Sequence, residues 1–219
     1  DKNKIDKFGM NCFYEELKKV RFHEKLGSQY DRVNRVSEIA VGMAKFFGED
    51  SKLVSKAATL IKADLVSEMV KEFPVLQGVM GSQYSILDGY PIEIANAIRE
   101  HYSPIGPNDS VPTNNLSIIL AISEKLEYLT AFWSIGIKPT GSKDPFALRR
   151  ASLGIIRIII ENRLKLNLED LIRLSMHKID HNDLLSFFKE RIVNYLVDLG
   201  NEKSVTLSVV YADNLKSLY

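Results

Sequence analysis

Four side chains that could bind a metal ion or move a proton lie on predicted helices that are otherwise apolar. Asp64 follows Leu60 by four residues, His101 and Glu124 extend similar stripes on later helices, and Arg35 lies on an earlier one. Residues three or four apart share a helix face, so Asp64 is predicted to be buried. A buried carboxylate without a partner is costly and therefore needs a counter-ion or a chemical role. We expect these four residues to converge.

This arrangement resembles the helical HD superfamily of metal phosphohydrolases, in which an early His, a His-Asp pair and a later Asp bind the metal. The matching positions are Arg35, Ala63–Asp64 and Glu124. Arginine stays protonated and alanine has no ligand atom, whereas a transition-metal site usually needs three protein ligands. The resemblance thus implies a degenerate site without metal, in which Arg35 forms a buried ion pair with Asp64. His101 is then a core residue, and an active metal phosphohydrolase is the alternative.

A cationic run, Lys138–Arg150, is the second stretch whose side chains could bind a ligand, and we call it the signature segment. Its proline and glycine indicate a turn, and Asp144 is predicted to cap a helix that begins at Pro145 and ends near Asn162. Clustered cations bind phosphate groups, but they also bridge acidic side chains of neighbouring helices, and both uses remain open. The candidate cations are Lys138, Lys143, Arg149, Arg150 and Arg157.

Helices are predicted to position all of these residues, because apolar residues recur at a spacing of three or four almost throughout. One stripe runs from Val33 to Phe47, where Gly48 is expected to end the helix. A long helix is predicted over 115–133, and Asp183 is predicted to cap a later one. Only Val205–Tyr211 offers a β-branched run, and a helix fits it equally well. The predicted fold class is all-α.

Composition limits the possible functions. The chain has 219 residues with 29 basic and 28 acidic side chains, so any contact with nucleic acid must come from a local patch. Cys12 is the sole cysteine, which rules out an internal disulfide framework and suits the cytoplasm. The apolar run Ile155–Ile160 is interrupted by Arg157, so no membrane span is expected. Because residue 1 is Asp1, we expect a piece of a longer chain.

Four ordered blocks resemble the β subunit of bacterial two-subunit glycyl-tRNA synthetase. They are Phe22–Ser28 (FHEKLGS), Lys62–Gly81 (KADLVSEMVKEFPVLQGVMG), Ile98–Pro104 (IREHYSP) and the signature segment (KPTGSKDPFALRR). One departure is Ser123–Glu127 (SEKLE), which stands where relatives tend to carry ADKLD. The resemblance implies three regions: an HD-like helical domain over 1–134, the signature loop with a connecting helix over 135–166, and the start of an anticodon-binding-like helical region over 167–219.

The resemblance also implies a role. In that family, the α subunit uses ATP to make glycyl-adenylate and transfers glycine, whereas the β subunit supports recognition of tRNA(Gly) in a cytoplasmic α2β2 assembly. By this resemblance, the segment contains no catalytic residue, metal or cofactor of its own, and its five candidate cations contact tRNA or another domain. Two other hypotheses remain open: the HD-type phosphohydrolase, and a structural spacer whose cations are all in salt bridges.

Overall fold

Helices dominate the part of the chain that the computed structural model describes, residues 1–211. This part contains twelve α-helices, so the all-α prediction is confirmed. In chain order they are α1 (Lys2–Phe8), α2 (Asn11–Glu16), α3 (Gln29–Phe47), α4 (Ser51–Leu60), α5 (Glu68–Glu72), α6 (Val79–Leu87), α7 (Ile92–Glu100), α8 (Asn115–Ser134), α9 (Leu148–Glu161), α10 (Leu168–Arg173), α11 (His181–Asp198) and α12 (Lys203–Val210).

Shorter elements connect these helices. Strands β1 (Arg21–His23) and β2 (Gly27–Ser28) pair antiparallel as a small hairpin before α3. One-turn 3₁₀ helices span Leu17–Lys19, Ala63–Val66 and Pro74–Leu76. None of the helices within residues 1–211 combines the length and the apolar character needed to cross a bilayer.

Local sequence explains the limits of α3. The Ser28 hydroxyl accepts from the Asp31 amide at 3.2 Å, and the Asp31 carboxylate accepts from the Ser28 amide at 2.8 Å, which forms a capping box. Gly48 ends the helix with φ 66°, in the left-handed region that favours glycine. The predicted stripe and its stop are therefore confirmed, and α3 presents its buried face to α4 and α8.

The core is centred on α8, which packs against α3, α7 and α9. Nearly every residue of α8 is buried, because neighbouring helices surround it. The hydrophobic core continues from Ile5 in α1 to Val210 in α12. Since α8 also contains Glu124 and Glu127, this packing takes both carboxylates into the protein interior.

Two predictions of helix starts are wrong. The helix after the signature turn begins at Leu148 rather than at Pro145, because Ala147 adopts φ 52° and breaks the helical path. The later helix is capped by Asp180, not by Asp183. The β-branched run near residue 205 forms α12. The last eight residues of the predicted third region, 212–219, lie outside the described residues, and the three-region division stays a prediction.

Candidate functional site

Five ionisable side chains form a charged cluster between α3, the end of α4 and α8: Arg32, Arg35, Lys62, Glu124 and Glu127. Arg32 donates through Nη2 to Glu124 Oε1 at 2.6 Å and through Nε to Glu127 Oε2 at 2.9 Å. Arg35 Nε donates to Glu127 Oε1 at 2.8 Å. Lys62 Nζ donates to Glu124 Oε1 at 3.0 Å. The cluster is therefore one continuous network of ion pairs, and all of its members except Arg35 are buried.

Helix geometry brings these groups together. Arg32 and Arg35 are three residues apart on α3, and Glu124 and Glu127 are three apart on α8, so each pair occupies one helix face. Because α3 and α8 pack against each other, the two arginines meet the two carboxylates. Arg32 also lies over the Phe22 and Tyr128 rings, with its guanidinium carbon 4.6 Å and 5.0 Å from their centroids. The cluster is consequently held by packing as well as by charge.

Burial and ion pairing have opposite effects on the pKa values in this cluster. Burial alone would raise the pKa of Glu124, but Lys62 and Arg32 hold that pKa well below its ordinary value. Burial lowers the pKa of Lys62 to about 7, because the attraction of Glu124 only partly offsets burial and the repulsion of Arg32. Glu124 is thus held as a carboxylate near neutral pH and is unsuited to proton transfer.

The predicted ion pair between Arg35 and Asp64 is wrong. Arg35 bonds Glu127, whereas Asp64 Oδ2 accepts the backbone amides of Gly78 at 2.6 Å and Gly81 at 2.9 Å. Asp64 lies in a 3₁₀ turn against the start of α6, so its carboxylate is directed away from α3. Its predicted burial is confirmed, and burial raises its pKa against the effect of the two amides. Asp64 therefore fastens α6 to this turn.

His101 is fully buried at the end of α7. Its Nδ1 donates to the Ile98 carbonyl at 2.5 Å, and its ring lies 3.8 Å from the Tyr102 ring. Burial lowers its pKa well below the ordinary value, and the nearby Lys62 ammonium lowers it further. Its Nε2 makes no hydrogen bond within the described chain. His101 is therefore a neutral core residue near neutral pH.

Lys125 of α8 forms hydrogen bonds with the backbone that follows α7. Its Nζ donates to the carbonyls of Tyr102 at 2.9 Å and Ser103 at 3.0 Å. A cation at this position satisfies backbone carbonyl groups of the loop that follows α7. Gly154 of α9 makes room for the lysine, because a Cβ there would lie 2.7 Å from Lys125 Cε.

The donor set around the charged cluster does not fit a metal ion. Glu124 Oε1 already accepts from two cations, which would repel a third. Within residues 1–211, no group of three or more His, Cys, Asp or Glu side chains is placed to hold a metal. The chemistry of the cluster is therefore ion pairing between its own side chains.

The signature segment forms a closed turn. Thr140 and Lys143 exchange backbone hydrogen bonds of 3.0 Å and 2.9 Å around Gly141, which has φ 52°. Asp144 lies outside α9, yet its carboxylate accepts the amides of Leu148 at 2.8 Å and Arg149 at 2.9 Å. Although the predicted start of the helix is wrong, Asp144 does supply acceptors to the free amides of the first turn.

The five predicted cations of this region have different surroundings. Lys138 Nζ donates to Asp183 at 2.5 Å, and Arg149 Nη2 to the Gly141 carbonyl at 2.7 Å. Arg157 is buried and donates to Glu161 and to the carbonyls of Gly106 and Asp109. The remaining two are exposed and make no side-chain hydrogen bond or ion pair with the described residues: Lys143 and Arg150.

An arginine groove of about 290 Å³ lies between α9, α11 and the loop at 104–107. Asp198 is the one acidic residue among its described lining residues. Arg191 of α11 is held by its contact with Phe187, whose ring centroid lies 3.5 Å from the guanidinium carbon. The groove therefore carries excess positive charge. The arginines that line it are Arg149, Arg150, Arg157 and Arg191.

Sequence reasoning missed four of the charged residues described above. Helix spacing could have found Arg32 and Glu127, because each lies one turn from a residue already singled out. Nothing in the local sequence marks Lys62, because its partner Glu124 lies on a helix distant in the chain. Nothing marks Arg191 either, because the rest of the groove that it lines comes from α9 and the loop at 104–107. The missed residues are Arg32, Lys62, Glu127 and Arg191.

Comparisons with known proteins agree on one family. The family model of the Glycyl-tRNA synthetase beta subunit matches residues 4–211. A glycine–tRNA ligase beta subunit of Ruegeria sp. is 47% identical over 192 residues, which cover 88% of this chain and 28% of that relative. That of Paracoccus denitrificans is 46% identical over 194 residues, covering 89% and 28%. That of Dinoroseobacter shibae is 53% identical over 165 residues, covering 75% and 23%.

The chain spans less than a third of the length of these curated relatives. The family match nevertheless includes the charged cluster, the signature segment and the arginine groove. We conclude that this chain belongs to the glycyl-tRNA synthetase beta subunit family.

Proposed function

We propose that this chain acts as part of the β subunit of a two-subunit glycine–tRNA ligase, where it supports recognition of tRNA(Gly). An α subunit would carry out the ATP-dependent chemistry within a cytoplasmic α2β2 assembly. Membership of the family supports this role, as does the name of the relatives, glycine–tRNA ligase beta subunit.

The observation that carries the proposed tRNA contact is the unpaired positive charge beside the arginine groove. Lys143 and Arg150 have exposed side chains that are not engaged by described residues, and the closed turn holds Lys143 in place. Arginine and lysine at a groove bind backbone phosphates without reading the base sequence. Arg149 and Arg191 add charge to the wall, whereas Arg157 supports it from within.

The absence of bond chemistry in this segment is part of the same proposal. The carboxylates of the charged cluster are paired with cations, and His101 is neutral and enclosed. The metal phosphohydrolase alternative needs a set of ligands that these residues do not supply. We therefore assign no catalytic residue here and place the use of ATP in the α subunit.

The experiment that tests this proposal uses the α subunit with a full-length β subunit containing this segment. In the double variant Lys143→Glu, Arg150→Glu, we expect tRNA(Gly) to bind at least about tenfold more weakly. The slope of log affinity against log salt should fall by about one for each lost phosphate contact. Binding is measured by fluorescence anisotropy of labelled tRNA over a range of salt concentrations.

A matched double variant, Lys45→Glu with Lys52→Glu, controls for net charge. These lysines are also exposed, but they lie at the turn between α3 and α4. The control should keep the affinity and salt slope of the unmodified enzyme. Equal affinities for the two double variants would contradict the proposed tRNA surface.

A further inference from the structure

A cleft of about 410 Å³ lies between the charged cluster and the signature segment, and the proposed tRNA surface does not account for it. Among its described lining residues, the charged ones are Arg32, Lys62, Glu124, Lys125 and Arg150. The first four are buried and form its depth, whereas Arg150 is exposed at its mouth. The cleft therefore reaches from the surface to the charged cluster.

The charge of this lining is unbalanced. Four of the five ionisable lining residues are basic, and the one carboxylate, Glu124, already accepts from Arg32 and Lys62. Because Glu127 also pairs with Arg32 from behind the lining, the excess positive charge rests mainly on Lys125 and Arg150. Lys125 is satisfied by backbone carbonyls, so its charge has no carboxylate partner in the cleft. Buried positive charge without a counter-ion is costly, and a bound anion would offset that cost. The lining thus favours a negatively charged occupant.

Aromatic rings give the cleft a second recognition element. Tyr102, Tyr128 and Phe146 line it and are partly accessible. Lys62 Nζ lies 3.7 Å from the centroid of the Tyr102 ring, and Phe146 stacks on the Phe132 ring at 4.2 Å. Fixed rings beside cations suit a flat base joined to a phosphate. The volume lies within the range of small-molecule sites and exceeds the need of a bare phosphate ion.

We propose that this cleft binds a nucleotide, with its phosphate between Arg32, Lys62 and Arg150 and its base against the tyrosine rings. No bond is made or broken, because the lining offers neither a metal-ligand set nor a carboxylate free of cations. Two sources share this chemistry: a free mononucleotide, and an unpaired nucleotide of an RNA strand. Binding of the free nucleotide does not depend on the proposed tRNA role.

The test titrates the 219-residue chain with AMP by isothermal titration calorimetry. We expect a Kd below about 1 mM for AMP. Adenosine, which has no phosphate, should bind at least roughly tenfold more weakly. Inorganic phosphate should compete with AMP. Incubation should leave AMP intact, which is checked by chromatography of the mixture.

Neighbouring arginines provide matched variants. Arg150→Gln removes the cation at the mouth of the cleft, whereas Arg149→Gln changes a residue that lines only the arginine groove. We expect Arg150→Gln to weaken AMP binding about tenfold and Arg149→Gln to leave it unchanged. Both side chains lie outside the buried network, so neither variant depends on refolding of the charged cluster.

A second arm separates the two sources in the assembled α and full-length β enzyme. AMP at saturation should displace tRNA if the cleft takes an RNA nucleotide, and it should leave tRNA binding unchanged if the cleft takes a free one. Either result, with AMP bound, supports the inference. The inference would be overturned if AMP did not bind at about 10 mM, which is ten times the expected upper limit of Kd. It would also be overturned if adenosine bound as tightly as AMP. Loss of tRNA binding in the double variant would still support the proposed function.

Discussion

The charged cluster and the arginine groove use the same type of side chain, arginine, in opposite ways. In the cluster, Arg32 and Arg35 are paired with carboxylates inside the protein. In the groove, Asp198 is the one acidic lining residue that is described, and Arg150 extends into solvent without an ion pair to the described residues. A buried cation with a carboxylate holds helices together, whereas an exposed cation without one is available for an external anion. The number of basic residues is therefore a poorer guide to function than their counter-ions.

The largest expected effect is on the cluster side of this comparison. Glu127→Gln removes the charge that Arg32 and Arg35 share, so that Arg35 loses its carboxylate partner and Arg32 keeps only Glu124. We expect the free energy of unfolding to fall by about 3–5 kcal/mol, measured by urea denaturation of the chain.

The control for this variant is Glu68→Gln, which makes the same chemical change in an exposed pair with Lys71. Its expected effect on the urea midpoint is too small to measure, because solvent screens an exposed ion pair. If Glu127→Gln cost no more than the control, the cluster would not be a structural network, and the contrast with the groove would fail.

A second prediction concerns the pH dependence of stability. The pKa of Lys62 is about 7 in the folded chain and about 10.4 when unfolded. Between these values the unfolded chain holds a proton that the folded chain has released, so stability rises with pH by up to about 1.4 kcal/mol per pH unit. We expect Lys62→Met to lose this contribution, as measured by urea unfolding from pH 7.5 to 9.

The exposed lysine Lys52 gives the comparison for this measurement. Lys52→Met should keep the pH slope of the unmodified chain, because its ammonium is exposed. The contribution of Lys125, whose pKa burial lowers to about 8, is present in all three proteins and cancels in the differences. Equal slopes for all three proteins would show that burial does not lower the pKa of Lys62.

The smallest predicted effect is on the groove side. Asp144→Ala removes the acceptor of two amides at the start of α9. We expect a loss of about 1 kcal/mol, which is typical of a missing helix cap, measured by thermal unfolding. In the enzyme, tRNA binding should also weaken, because the turn no longer holds Lys143.

Asp6→Ala is the matched control, since Asp6 is an exposed carboxylate on α1. It should change neither stability nor tRNA binding. If Asp144→Ala unfolded at the same temperature as the control, the signature turn would be rigid for reasons other than the carboxylate of Asp144.

Helix spacing was sufficient to predict most of the fold. The stripe of α3, its stop at Gly48 and the burial of Asp64 follow from local pattern alone. Spacing could not predict the partner of Asp64. Both Arg32 and Arg35 lie on the face of α3 toward α8, where they pair with Glu127. Asp64 instead lies on a turn where its carboxylate accepts amides at the start of α6.

The signature segment shows a similar limit. A carboxylate before a proline is a standard helix start, yet Asp144 reaches the amides of α9 from outside the helix because Ala147 bends the chain. Asp183 was expected to cap α11, but its carboxylate accepts from Trp133 and Lys138 instead. Local sequence predicts that such carboxylates bind donors, whereas tertiary packing decides which donors they reach.

The glycine beneath Lys125 has a consequence for attempts to raise the thermostability of this protein. Replacing glycine by alanine inside a helix ordinarily adds about 0.5–1 kcal/mol of stability. At Gly154 the new methyl group would meet the lysine stem and, at 3.6 Å, the Pro104 carbonyl. The exchange would push Lys125 away from the carbonyls that follow α7. Gly154→Ala should therefore lower the stability of this protein, although the same exchange stabilises most helices.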